Sequence, residues 1–97
     1  MKCAGVVNLA AKDAKPCGIT LTWQPGKDTM SGYLVKRATL TSDFLQVSDA
    51  LDKNTLTFTD FGVLPGKLYH YQVYAIDILG NLSDPVLVDY TAPKRTQ

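Results

Sequence analysis

Across residues 18–23, in Gly18-Ile19-Thr20-Leu21-Thr22-Trp23, apolar and polar side chains alternate without a break, and the run stops at Gln24-Pro25-Gly26. A period of two puts Ile19, Leu21 and Trp23 on one face, which predicts a strand with a single buried side. Residues 32–38 repeat the pattern, with Tyr33 and Val35 on one face and Leu34 and Lys36 on the other. Residues 44–47 and 55–59 are shorter alternating runs, and Leu56 and Phe58 point inward in the second. The polar segment between them, 49–54, reads as a turn because Asp and Asn side chains bond locally to backbone. Residues 67–76 form the longest alternating run. They set Tyr69, Tyr71, Val73 and Ala75 against His70, Gln72, Tyr74 and Ile76, as expected of a central strand. Val86, Val88 and Tyr90 are the inward set of a last strand that starts at Pro85, where a missing backbone donor is tolerated. An opening strand over residues 7–11 is anchored by Leu9.

Seven short strands separated by Pro, Gly, Asn and Asp are the pattern of an all-β sandwich. The nearest helical candidate, the Ala-rich segment 6–15, is cut short by Asp13 and Pro16. The organisation expected is a tail or linker over 1–5, one domain over 6–92, and a C-terminal linker over 93–97 that carries Pro93, Lys94 and Arg95.

Composition agrees with this and narrows the partners. Ninety-seven residues with 45% hydrophobic and 20% charged side chains are enough for one core, and exclude a solvated disordered chain. All nine acidic residues are Asp, and Thr occurs ten times; both suit turns and pleated strands better than helix interiors. A net charge of +1 supplies no electrostatic footprint for nucleic acid or an anionic membrane. No apolar run is long enough to cross a bilayer as a helix, and the N-terminus lacks the order of a signal peptide. The chain therefore reads as a module of a longer protein, whose secretion signal or anchor would lie elsewhere.

Three motifs give the sequence a resemblance to the fibronectin type III family, and together they extend over nearly the whole chain. The first is Asn8-Leu9 followed by Ile19-Thr20-Leu21-Thr22-Trp23-Gln24-Pro25; the second is Gly32-Tyr33-Leu34-Val35-Lys36-Arg37. The third and most specific is Leu64-Pro65-Gly66-Lys67-Leu68-Tyr69-His70-Tyr71-Gln72-Val73-Tyr74-Ala75, which is similar to the family's tyrosine corner. The resemblance implies a seven-stranded immunoglobulin-like sandwich in which the Tyr69 hydroxyl bonds to backbone just upstream, near Val63. Asp77-Ile78-Leu79-Gly80-Asn81-Leu82-Ser83-Asp84-Pro85 is similar to bacterial members, which implies an extracellular multidomain context such as a polysaccharide-degrading enzyme, a surface protein or a phage protein. An immunoglobulin domain would carry cysteine where Tyr71 stands. The integrin-binding Arg-Gly-Asp triplet of some relatives is missing.

The core expected from the alternation is Leu9, Leu21, Trp23, Tyr33, Val35, Phe58, Tyr69, Tyr71, Val73, Val88 and Tyr90. Cys3 and Cys17 fall at opposite ends of the opening strand, roughly 20 Å apart at about 3.3 Å per residue. That exceeds the roughly 7 Å limit for a disulfide and points to two separate thiols. His70 is the sole histidine and lies on an outward face beside no obvious acid, so neither a triad with Ser31, Ser42, Ser48 or Ser83 nor a zinc site is expected. Asp77, Asn81 and Asp84 read as turn residues, since their spacing is unlike a calcium loop. Asn81-Leu82-Ser83 fits the N-glycosylation rule and is taken as incidental in a bacterial-type chain. No cofactor or metal is expected.

The possible contact surface is Leu34, Tyr74, Ile76 and Leu87 on one outward sheet face, together with Ile78 and Leu79 in the following loop, where Leu82 and Met30 also sit. Two functions remain open. One is a non-catalytic spacer and protein-interaction module, monomeric in isolation, that contacts neighbouring domains. The other is a recognition module that binds a glycan or cell-surface receptor through its loops or that sheet face.

Overall fold

The computed structural model describes residues 5–15, 18–26 and 30–94, with Met30 described in its backbone alone. Cys3, Cys17, the tail 1–4 and Arg95 lie outside the described residues. Among the described residues eight strands run in order: β1 (Val7–Ala14), β2 (Gly18–Gln24), β3 (Met30–Ala38), β4 (Leu45–Gln46), β5 (Leu51–Asp52), β6 (Thr57–Asp60), β7 (Leu68–Asp77) and β8 (Val86–Thr91). One antiparallel sheet is ordered β1-β2-β6, and the other β4-β3-β7-β8 with β5 also pairing β3. The chain is an all-β sandwich, and residues 7–14 of the segment 6–15 form its first strand.

The segment 49–54 departs from a simple turn. β4 pairs with Lys36 and Arg37, and β5 with Tyr33 and Gly32, so residues 45–52 follow the same edge of β3 as one interrupted strand. The interruption is closed by Ser48, whose buried hydroxyl accepts the Val35 N–H at 3.0 Å while the Val47 N–H reaches the Val35 carbonyl. Close approach of β5 requires Gly32, because a Cβ there would stand 2.1 Å from the Leu51 carbonyl oxygen. Turn composition read from sequence is blind to this, since edge pairing is decided by the neighbouring strand. In β1, Asn8 adopts a positive φ of 55° at a bulge between Val7 and Ala10, and its side-chain amide donates to Gln24 Oε1.

The core lies between the sheets. Ile19, Leu21, Tyr33, Val35, Tyr71, Val73 and Ala75 have no exposed surface, while Trp23 and Tyr69 are nearly as buried. Leu9, Phe58, Val88 and Tyr90 are partly buried and pack against this cluster from its margins. Trp23 meets Tyr33 edge to face with centroids 5.6 Å apart. Among the described residues neither Trp23 Nε1 nor the Tyr33 hydroxyl has a hydrogen-bond partner, and burial pushes the Tyr33 hydroxyl's pKa up.

Two polar devices join the sheets at the end where the chain exits. The Tyr69 hydroxyl accepts the Leu64 N–H at 2.8 Å, which ties the loop after β6 to the first residues of β7. Above it, the nearly buried Asp60 carboxylate at the end of β6 accepts Arg37 Nη1 at 2.5 Å, the Tyr71 hydroxyl at 2.9 Å and the Gly62 N–H at 2.9 Å. Arg37 and Tyr71 belong to the opposite sheet, so this carboxylate bridges the layers. Burial, with the Asp60 charge second, drives the Tyr71 hydroxyl far above the range of a free tyrosine.

Trp23→Ala is expected to cost about 3–5 kcal/mol in chemical denaturation, toward the lower end because the substitution also deletes an unpaired buried donor. A loss under about 1 kcal/mol would contradict the packing described. Asp60→Ala strands Arg37 and Tyr71 and should cost about 3–5 kcal/mol, whereas Tyr71→Phe, which removes one charge-assisted bond, should cost about 1.5–3. Equal losses in the two variants would show that the carboxylate does not bridge the sheets.

Candidate interaction surface

The register of β3, β7 and β8 sets the outward face of the larger sheet. Leu34 stands opposite Tyr74, Lys36 opposite Gln72, and Gln72 opposite Leu87. Leu87 is therefore a diagonal neighbour of Tyr74, and Ile76 follows two residues along β7 on the same side. Leu34, Tyr74 and Ile76 are half-buried, and Leu87 is exposed. Polar groups interleave with them: Lys36 Nζ lies 5.3 Å from the Tyr74 ring centroid, and the Tyr74 hydroxyl donates to Gln72 Oε1 at 3.0 Å. The face is a mixed surface with one aromatic ring already covered by a lysine.

His70 is not isolated from acids. Register pairs it with Asp89 on β8, and its Nδ1 lies 2.6 Å from Asp89 Oδ1. This corrects the sequence reading, in which the acid was invisible because it stands 19 residues away and only strand pairing brings it across. Exposed pairs of this kind contribute about 1 kcal/mol or less. Ser48 and Ser83 are both buried and both bond to the core strands, Ser83 accepting the Ala75 N–H at 2.9 Å and donating to the Asp84 carbonyl. Their one signal in the sequence is a serine followed by aspartate in a segment that breaks strand alternation.

The loop from β7 to β8 is the most apolar exposed segment. Ile78 and Leu79 are 73% and 82% exposed, and Leu82 is 39% exposed beside its bridge to Ile76. The loop is nonetheless built to one shape. The Asp77 carboxylate accepts the Leu79 N–H at 2.9 Å and the Asn81 N–H at 2.8 Å, the Gly80 N–H returns to the Asp77 carbonyl, and Gly80 takes a positive φ of 86°. The Asn81 backbone bond leads the interactions that hold the Asp77 carboxyl below its ordinary range. Asn81 and Asp77 thus act as turn residues. Asp84 stands outside this arrangement, at the approach to β8.

Strand pairing also defines the two ends of the sandwich. Val7 is opposite Gln24, and β7 ends at Asp77 opposite Met30, so the chain enters at the end that carries the loop 78–82. Gly5 is packed there, with Val86 and the Asp84 carbonyl around its Cα. Ala14 pairs with Gly18, Ala38 with His70, and Leu68 with Thr91, so the chain leaves at the opposite end, where Ala92 is buried and bonded to Gly66 and Lys67.

Two short-edged antiparallel sheets with a tyrosine corner at the passage into β7 define an immunoglobulin-like sandwich of the fibronectin type III kind. The sequence pattern of the fibronectin type III domain matches residues 4–89, and the chain belongs to that family. Among solved structures it is similar to an Fn3-like protein from Clostridium thermocellum, at 24% identity and a TM-score of 0.75 over 97% of both chains. The fn3 domain of human contactin 1 is 12% identical with a TM-score of 0.82, over 98% of this chain and 82% of that one. A pectate lyase from Erwinia chrysanthemi, solved with tetragalacturonic acid, is 20% identical with a TM-score of 0.74 over 89% of this chain. The match takes up 28% of that enzyme's chain. No curated protein matches the chain in sequence.

Because the Asp77 carboxyl is held below its ordinary range, its contribution to the loop is present at neutral pH and is lost only as pH falls through the lowered value. Amide exchange at Leu79 and Asn81 should therefore stay slow down through the usual carboxylate range and accelerate below it. Asp77→Ala should show the fast exchange at every pH, and unchanged protection in that variant would remove the carboxylate from its assigned role.

Proposed function

We propose that the domain is a non-catalytic spacer and protein-interaction module of an extracellular multidomain protein of bacterial type, such as a polysaccharide-degrading enzyme. The observation that carries this reading is the placement of chain entry and exit at opposite ends of a particle measuring 46 × 26 × 20 Å. A rigid rod with its termini at the two ends holds whatever precedes and follows it at a set separation. Rigidity comes from a core dominated by large side chains and from the Asp60 and Tyr69 ties between the layers. The similarity to a pectate lyase, where a domain of this shape is about a quarter of the chain, supports an accessory place beside a polysaccharide-acting enzyme. In dilute solution the isolated module is a monomer, since its long sides carry mixed rather than continuous apolar surface.

The alternative, glycan or receptor recognition, would use Tyr74 as the aromatic platform, but its ring is shared with Lys36 and its hydroxyl with Gln72. Two measurements separate the readings. A tandem fusion of two copies should scatter X-rays as an extended particle whose longest dimension approaches twice the 46 Å of one module; a folded-back, compact pair contradicts the spacer. On immobilised polysaccharides the isolated domain should show no retention. Retention that Tyr74→Ala abolishes would establish recognition instead.

A further inference from the structure

The chain enters the sandwich through a seat built on the same residues that anchor the loop 78–82. Val6 stands ahead of β1, outside the strand ladder, yet is only 4% exposed and belongs to the core cluster. Before it, Gly5 passes close to the approach of β8. A Cβ there would stand 3.0 Å from Val86 Cγ2, 3.3 Å from the Asp84 carbonyl oxygen and 3.8 Å from Ser83 Oγ. The entering segment therefore lies across residues 83–86, and those residues hold the loop. The buried Ser83 hydroxyl accepts the Ala75 N–H and donates to the Asp84 carbonyl, the group that Gly5 covers, while the Ser83 N–H returns to the Ala75 carbonyl at 2.8 Å. One step outward Ile76 bridges Leu82, and the Asp77 N–H reaches the Asn81 carbonyl at 2.9 Å. The segment is also easily lifted. Regular pairing of β1 with β2 starts at Ala10, behind the bulge where Asn8 holds its positive φ. Lifting residues 5–8 costs the Val7 pairing and the Asn8 bond to Gln24 Oε1, and leaves the ladder from Ala10 to Ala14 intact.

We propose that residues 5–8 are a strap that couples the chain entering the domain to the orientation of the loop 78–82. Seated, the strap keeps water from Ser83, and the bonds from Ser83 to Ala75 hold the base of the loop. Lifted, it opens those bonds to competition from water, which weakens them. The turn itself persists, because the Asp77 carboxylate holds the Leu79 and Asn81 N–H groups from within the loop. The loop then moves as a unit, and with it the exposed Ile78 and Leu79. Whatever precedes the domain thus sets how these two side chains are presented, through Ser83 and without a contact of its own. The coupling is reciprocal, so anything that fixes the loop also seats the strap. It does not depend on the spacer reading.

Native-state amide exchange on the full chain tests it. Val6→Asp denies the strap its buried seat. Gly5→Val crowds the passage beside Asp84 from outside the core, and decides the matter should Val6→Asp fail to fold. In each folded variant the amides of Ala75, Asp77 and Ser83 should exchange faster by about tenfold, the scale of one weakened buried hydrogen bond. The amides of Leu64 and Val47, bonded elsewhere in the sandwich, should keep their rates, as should Leu79 and Asn81 within the turn. Ser83→Ala removes the relay, so it should speed exchange at Ala75 and Asp77 by itself, and Gly5→Val added to it should speed them no further. Unchanged rates at Ala75, Asp77 and Ser83 in a folded strap variant, equal acceleration at Leu64 and Val47, or additive effects of Gly5→Val and Ser83→Ala overturns the strap. None of these results touches the spacer reading, which the scattering of the tandem fusion decides.

Discussion

The nearly buried carboxylate of Asp60 ties the two sheets to each other through bonds that only one offset of the layers satisfies. An acidic group this deeply buried is costly unless its oxygens are paired, and the three donors that pair it come from a loop turn and from two strands of the other sheet. Sliding β6 by one residue would send Asp60 to the outer face and leave Arg37 and Tyr71 unpaired within the core. Hydrophobic burial drives the layers together without choosing their offset. The Asp60 cluster chooses it, and through Tyr71 and the adjacent Tyr69 it positions the passage into β7, the strand on which both faces of the larger sheet are built.

The same economy governs the edges. Where the regular ladder of β3 or β7 runs out, a buried serine hydroxyl takes the next backbone N–H: Ser48 beside Val35 and Ser83 beside Ala75. These substitutions let the edge segments depart from strand geometry without stranding core backbone groups. On one side the departure produces an interrupted edge that offers no long template for aggregation. On the other it frees the chain after Asp77 to form a shaped apolar loop at the entry end. The exposed apolar surface of that loop is thus a by-product of how the core strands are terminated.

Much of this was legible along the chain. The alternation around Trp23, Tyr33 and Val73 identifies strands and their inward faces because a two-residue period is a local property. The tyrosine corner was legible through its motif, with the partner one residue beyond the expected Val63, at Leu64. Asp60 drew no reading, Arg37 entered only as the end of a motif, and Ser48 only as a discarded partner for His70. No local pattern distinguishes a charged residue that will meet its counter-ion across a sandwich, as Asp60 and Arg37 do, from one that faces water. His70 looked solitary for the same reason, since Asp89 reaches it through pairing alone.

Legible along the chain are the long strands, the identity of the core aromatics, the absence of any strong net charge, and the family to which the chain belongs. These follow from side-chain periodicity and composition, which need no knowledge of what lies opposite. Folding decides which polar residues are buried partners, that residues 45–52 form one broken edge, and which exposed apolar loops stand at the two ends of the rod. Each of those depends on distances between residues remote in the chain. Folding sets them through the offset of the two sheets, an offset held by a single carboxylate and its three donors.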